Sequence, residues 1–203
     1  MKAADAFARL RRLGVPVVDT ADAAAALGQS TAAASMTLSR LVASGLIAPV
    51  RHGTWWLDGA IDPLRLPEYL TAPLPSYVSL QTALHIHGLI EQIPEVAYAV
   101  SLARTQRIET RAGTFSIHHV APEVFGGFDE AASGIKLATA EKALFDVAYL
   151  SAGRTRLFAA LPELELPRGF RRAELKRWVG RIPSERSRTI TSRKLDEFLT
   201  GAR

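Results

Sequence analysis

One stretch limits what this chain can fold into more than any other: residues 20–57, TADAAAALGQSTAAASMTLSRLVASGLIAPVRHGTWWL. Alanine fills 21–26 except at Asp22, and alanine is the best helix former because it loses no side-chain entropy in a helix. The side-chain oxygens of Asp19 and Thr20 can accept bonds from the free N–H groups of the first turn. Gly28 can take the left-handed conformation that ends a helix. The spacing predicts a short helix over 21–27 with a turn at Gly28-Gln29. Ser30-Thr31 then caps a longer helix running to about Ser44. Ala34, Leu38, Leu41 and Gly45 fall on one face, with Val42 beside them, and Ala32, Ser35, Met36, Ser39 and Arg40 on the other.

Gly45-Leu46-Ile47 ends this helix and opens an extended arm. Ile47, Val50, Trp55 and Leu57 lie on two arms around the basic tip Arg51-His52-Gly53. A short helix, a tight turn, a longer helix and a two-armed tip form the outline of a winged helix-turn-helix. A longer helix with a small, polar outer face can sit deep in a major groove. The same spacing also fits an ordinary amphipathic helix with a quiet surface, and the flanking elements favour the groove. Phosphate contacts are expected from Arg9, Arg11, Arg12 and the basic tail 168–203, with Arg51 and His52 at the tip near phosphate or the minor groove. Gln29, Ser30, Thr31, Ser35, Ser39 and Arg40 are the expected helix contacts. Only Gln29 and Arg40 can bond a base edge bidentately. So few readers call for two copies, or a dimer, on an inverted repeat.

The chain before this stretch predicts a helix over 3–13, with Phe7, Leu10 and Leu13 at helical spacing, and an extended piece at 15–18. After it, residues 59–75 carry four prolines and read as a linker with one helical turn at 66–70. The expected organisation is a DNA-binding domain over 1–58, a linker over 59–75, and a mixed α/β domain over 76–203, an α+β chain overall. In the second domain Ser79 is expected to cap a helix stopped by Gly88, and 96–102 and 113–120 read as strands. A brief strand at 135–138 leads to Thr139, which caps a helix over 140–150 bearing Leu144, Phe145, Val147, Ala148 and Leu150. A stretch at 157–161 and helices over 172–179 and 192–199 complete the chain.

Composition narrows the class. The 203 residues are 48% apolar and 22% charged, which suits a packed core. There is no cysteine, so disulfides and Cys-based zinc sites are excluded, in keeping with a reducing cytoplasm. No run of about 18 apolar residues suggests a membrane helix, and the N-terminus lacks the apolar run of a signal peptide. A cytoplasmic protein with no membrane partner is expected. The charge is uneven: residues 168–203 hold eleven Lys and Arg against four Asp and Glu. That basic tail fits either a polyanion partner or a solvated Arg-rich face.

Catalytic patterns are missing. The sequence has no GxxxxGK[ST], GxGxxG or GxSxG. Glu141 and Asp146 are five apart and do not converge on a helix, and His85 and His87 are two apart and cannot easily share a metal. Arg104, Arg107, His118 and His119 are the only loose set for an enzymatic reading. No catalytic residue, metal or cofactor is expected.

Two runs in the second domain carry a resemblance. The first is Ser79, Ala83, Leu84, His87, Gly88 and Leu89; the second is Thr139, Glu141, Lys142, Ala143, Leu144 and Asp146, with a strand pair bearing Arg104 and Arg107 between them. Behind a winged helix, over about residues 3–160, this order resembles the AbiEi family of antitoxins, the regulator halves of AbiE-type (type IV) toxin–antitoxin systems. The resemblance implies that the first domain binds promoter inverted repeats and represses its own operon. It further implies that the second domain, through Ser79, His87, Gly88, Arg104, Arg107, Thr139, Glu141, Lys142 and Asp146, counters a nucleotidyltransferase-like toxin. Two other readings are a protein that sequesters the toxin directly and a winged-helix regulator with no toxin partner. The basic tail lies outside the resemblance.

Overall fold

The computed structural model describes residues 2–152, 161 and 163–202. It is a mixed α+β structure whose chain divides into two compact units, Met1–Pro63 with Glu109–Gly113, and Leu64–Ile108 with Thr114–Arg203. One division falls inside the proline-rich segment 59–75, and Glu109–Gly113, expected in the second domain, goes with the first unit. Most of the stretch expected at 157–161 lies outside the described residues.

The first unit runs α1 (Ala3–Arg11), β1 (Val17–Asp19), α2 (Thr20–Leu27), α3 (Thr31–Ala43), β2 (Ala48–Arg51) and β3 (Thr54–Trp56). Asp19 Oδ1 accepts from the Asp22 N–H and Ser30 Oγ from the Ala33 N–H, so each helix starts where a cap satisfies its orphan donors. β3 lies between β1 and β2 and is antiparallel to both. Pro49, which has no N–H to donate, sits on an outer strand of this sheet at a register shift. Ala6, Leu10, Val18, Ala23, Leu27, Leu38, Leu41, Ile47 and Leu57 form the core. Of the two tryptophans, Trp56 is fully buried, whereas Trp55 is half-buried and donates to Thr20 Oγ1 at 3.0 Å.

The second unit begins with α4 (Leu66–Thr71), whose Leu66, Pro67, Leu70 and Thr71 are buried, so this part of the proline-rich segment is packed structure. It continues β4 (Ser76–Val78), α5 (Leu80–Ile86), β5 (Ala97–Ser101), β6 (Gln106–Thr110), β7 (Gly113–His119), β8 (Phe128–Glu130), β9 (Lys136–Ala138), α6 (Ala140–Ser151), α7 (Arg172–Gly180) and α8 (Glu185–Thr200), the β6 end and β7 start within Glu109–Gly113 counting with the first unit. The strand order is β6-β7-β5-β4-β9-β8. β4 is antiparallel to β5 and parallel to β9, β5 is parallel to β7, and β8 is antiparallel to β9. Strands β6 and β8 are not foreseen in the sequence; both lie at sheet edges and are short and charged, as edges that resist further pairing are.

Helix α6 packs on α5, α7, α8 and β9. Eight consecutive residues, 141–148, are buried, so the expected one-sided apolar face is instead a helix enclosed all round. α8 starts seven residues before the expected Ser192, because Ser184 Oγ accepts from the Ser187 N–H and caps it there. Its buried Thr191, Leu195 and Phe198 keep helical spacing. Gly127 has φ 73°, and a Cβ there would meet the Trp178 ring at 2.4 Å and Lys142 Cγ at 3.0 Å. Gly88 has the same φ, 73°, but nothing within 4 Å of an added Cβ.

These two glycines separate strain from crowding. Gly88→Ala should cost about 1–2 kcal/mol for the left-handed backbone alone. Gly127→Ala adds overpacking and should cost about 2–4 kcal/mol in total. Urea unfolding midpoints of the two variants measure the difference.

Candidate functional site

In the first unit the exposed side of α3 presents Thr31, Ala32, Met36, Ser39 and Arg40. Met36 is 61% exposed, a large apolar side chain on a face otherwise small or polar. Thr31 and Ser35 line one cavity of about 790 Å³ together with Arg51, His52 and Gly53 of the β2–β3 turn. Helix start and strand turn therefore share a concave surface. Arg111 and Glu109 line it too, and neither is foreseen from sequence.

The remaining expected contacts do not all meet there. Arg9, Arg12 and Arg40 are exposed but line other surface. Arg11 donates to Asp58 Oδ1 at 2.8 Å, so its charge is locally neutralised. Gln29 Oε1 already accepts from the Thr37 hydroxyl at 3.1 Å, a proton that the hydroxyl shares with Ala33 O at 3.0 Å. A bidentate base contact from Gln29 would have to use the second lone pair of an oxygen already held by Thr37. Ser30 Oγ is occupied as a cap, and Ser39 Oγ donates to Ser35 O at 2.9 Å. Arg51 Nε donates to Thr54 Oγ1 at 3.4 Å from an exposed position.

In the second unit the two motif runs meet in the interior. Asp146 of α6 accepts from Ser79 Oγ at 2.7 Å and from Tyr77 OH at 3.0 Å, and forms an ion pair with Lys142 one helical turn away. Both side chains of the pair are 0% exposed. Lys142 Nζ also lies 4.7 Å from the ring centre of Trp178, 4.9 Å from Phe145 and 5.4 Å from Tyr77, positions where ring quadrupoles attract a cation. Burial pushes the Lys142 pKa down and the Asp146 carboxyl up, and their mutual attraction opposes both shifts. Burial, then the Asp146 charge, holds the Tyr77 phenol well above its ordinary value, so it stays a donor.

Ser79 thus corrects one expectation: it stands at the helix start but its side chain makes no cap bond. Its hydroxyl turns to Asp146 instead, and the next residue, Leu80, is held at φ 55°, costly for a leucine. The other motif residues are structural ties. His87 Nε2 donates to Ala138 O at 2.7 Å, and Thr139 Oγ1 caps α6 by accepting from the Lys142 N–H. Glu141 Oε1 accepts from the Arg171 N–H at 2.9 Å. Burial raises the Glu141 pKa, but the Arg171 bonds outweigh it and the net shift is downward. Arg104 and Arg107 are exposed, and Arg107 lines a separate cavity with Gln81, Glu95 and Tyr98.

Chemically, the Ser79–Asp146–Lys142 centre is closed: with every member fully buried, no substrate reaches it. The loose set for an enzymatic reading does not converge either. His118 and His119 are neighbours on a strand and face opposite sides, one buried, one exposed. His118 Nε2 is 2.9 Å from Ser116 Oγ and its ring stacks near Tyr98. Among the described residues no group of His, Cys, Asp and Glu could hold a metal, and no helix is long and apolar enough to cross a membrane. Tyr77 and Trp178 complete the centre unforeseen; the i, i+4 spacing of Lys142 and Asp146 is the one signal that could have revealed it. No protein-family model and no curated protein matches the chain.

Lys142→Met should cost about 3–5 kcal/mol, because it leaves a buried carboxylate unpaired. The K142M/D146N double variant is neutral and keeps an acceptor for Tyr77 and Ser79, so it should recover a large part of that loss in denaturant titrations. His118 gives a pH effect. Burial lowers its pKa from 6.5 to about 4. The unfolded chain therefore binds the extra proton in that window, and stability present above pH 6.5 is lost as pH falls towards 4. His118→Gln should flatten the fall in unfolding free energy over that window.

Proposed function

We propose that this chain is an AbiE-type antitoxin that binds promoter inverted repeats through a winged helix-turn-helix in its first unit, represses its own operon, and counters a nucleotidyltransferase-like toxin in the cytoplasm. One observation carries the DNA-binding half. The start of α3 and the Arg51-His52-Gly53 turn line a common concave surface. Helix and turn then address one duplex together, α3 at the base edges and the turn at phosphate. The small outer face of α3 allows close approach to the bases, and exposed Arg40 brings the one side chain on that face able to bond guanine bidentately.

The antitoxin half rests on the two motif runs and on how they serve the fold. Ser79, Thr139, Lys142 and Asp146 build an interior, while Arg104 and Arg107 remain on the surface for a partner. The reading is of a binding protein, not an enzyme. Co-expression with a neighbouring nucleotidyltransferase-like gene product tests this half: growth should be restored only when the chain is present.

Arg40→Ala should weaken binding to the chain's own promoter duplex about 5- to 150-fold, the loss of about 1–3 kcal/mol of base discrimination, and change binding to a scrambled duplex far less. Equal losses on both duplexes in a gel-shift titration would remove Arg40 as a base reader.

A further inference from the structure

We infer that the segment Glu109–Gly113 is part of the nucleic-acid surface, with Arg111 making a phosphate contact beside the turn of β2 and β3. This rests on the DNA-binding reading above and extends it to a segment far from the helix-turn-helix in sequence. The segment belongs to the first unit. The Arg111 N–H donates to Val50 O at 2.9 Å, so the arginine is tied by its backbone next to Arg51. Arg111 is exposed and lines the same cavity as Thr31, Ser35, Arg51 and His52.

The chemistry of that cavity suits a phosphodiester backbone. Two guanidiniums and an imidazole stand on its wall, and the Thr31 hydroxyl sits at the first residue of a 13-residue helix whose dipole favours anions, with Ser35 one turn further on. A backbone-anchored arginine loses less freedom on binding than one on a mobile loop. Glu109 lies on the same wall and opposes the field. Its carboxylate sets the sign of a second test, because removing it should strengthen binding to any duplex.

The experiment is fluorescence-anisotropy titration of the full chain on its promoter duplex and on a scrambled duplex, over a salt series. For Arg111→Ala, binding should weaken to a similar extent on both duplexes, and the slope of log K against log salt should fall in magnitude by about 0.9, one phosphate contact. Arg111→Lys should restore the slope, since a point charge suffices at phosphate. Glu109→Gln should tighten both complexes. An unchanged slope in R111A, with the wild-type chain binding DNA in a salt-dependent manner, overturns the role of this segment and leaves the DNA-binding reading standing. A wild-type chain that binds neither duplex overturns both. Circular dichroism of R111A excludes misfolding as the cause of a loss, and a loss that R111K does not restore also counts against a phosphate contact.

Discussion

Lys142 and Asp146 both leave water when the second unit folds, and each buried ion forfeits several kcal/mol of solvation even after relaxation. Their attraction returns part of this, and the remainder must come from the groups around them. Tyr77 and Ser79 donate to the carboxylate, and three aromatic rings face the ammonium. Because these partners come from β4, its exit into α5, and α7, with Phe145 on α6 itself, the pair joins the sheet to the helical layer. The left-handed leucine at 80 and the glycine at 127 both lie against this arrangement. One is strained beside the serine that reaches Asp146; the other is bare because Trp178 and Lys142 fill the space.

This explains what could and could not be read from the residues. The elements marked by local chemistry are legible: the caps at Asp19, Ser30 and Thr139 and the left-handed Gly28 stand where the sequence places them. What escapes is set by distant partners. β6 and β8 carry edge chemistry, which looks like loop in a single sequence. The first half of α8 holds exposed Arg186, Arg188 and Ile190, so it lacks the apolar stripe that would announce it. Ser79 has a perfect cap identity, and loses that role to a carboxylate 67 residues away.

The motif residues divide along the same line. Those of the two runs are mostly interior, so their identity is explained by packing before any function is invoked. The exposed arginines of the first unit take no part in its core. Short side chains and basic groups drawn from separate segments meet on one wall, while Arg11 is withdrawn into an ion pair and Gln29 into an internal bond.

The hydroxyls along α3 add a bias of their own. Thr37, Ser39 and Ser44 each spend their single proton on a carbonyl one turn back or on a neighbouring amide oxygen, a habit of these residues inside helices. Their oxygens keep only lone pairs for the outside. At these three positions the hydroxyl chemistry is thus that of an acceptor, and a group laid against them must supply hydrogens of its own. Exocyclic amino groups can do that, whereas carbonyl edges cannot.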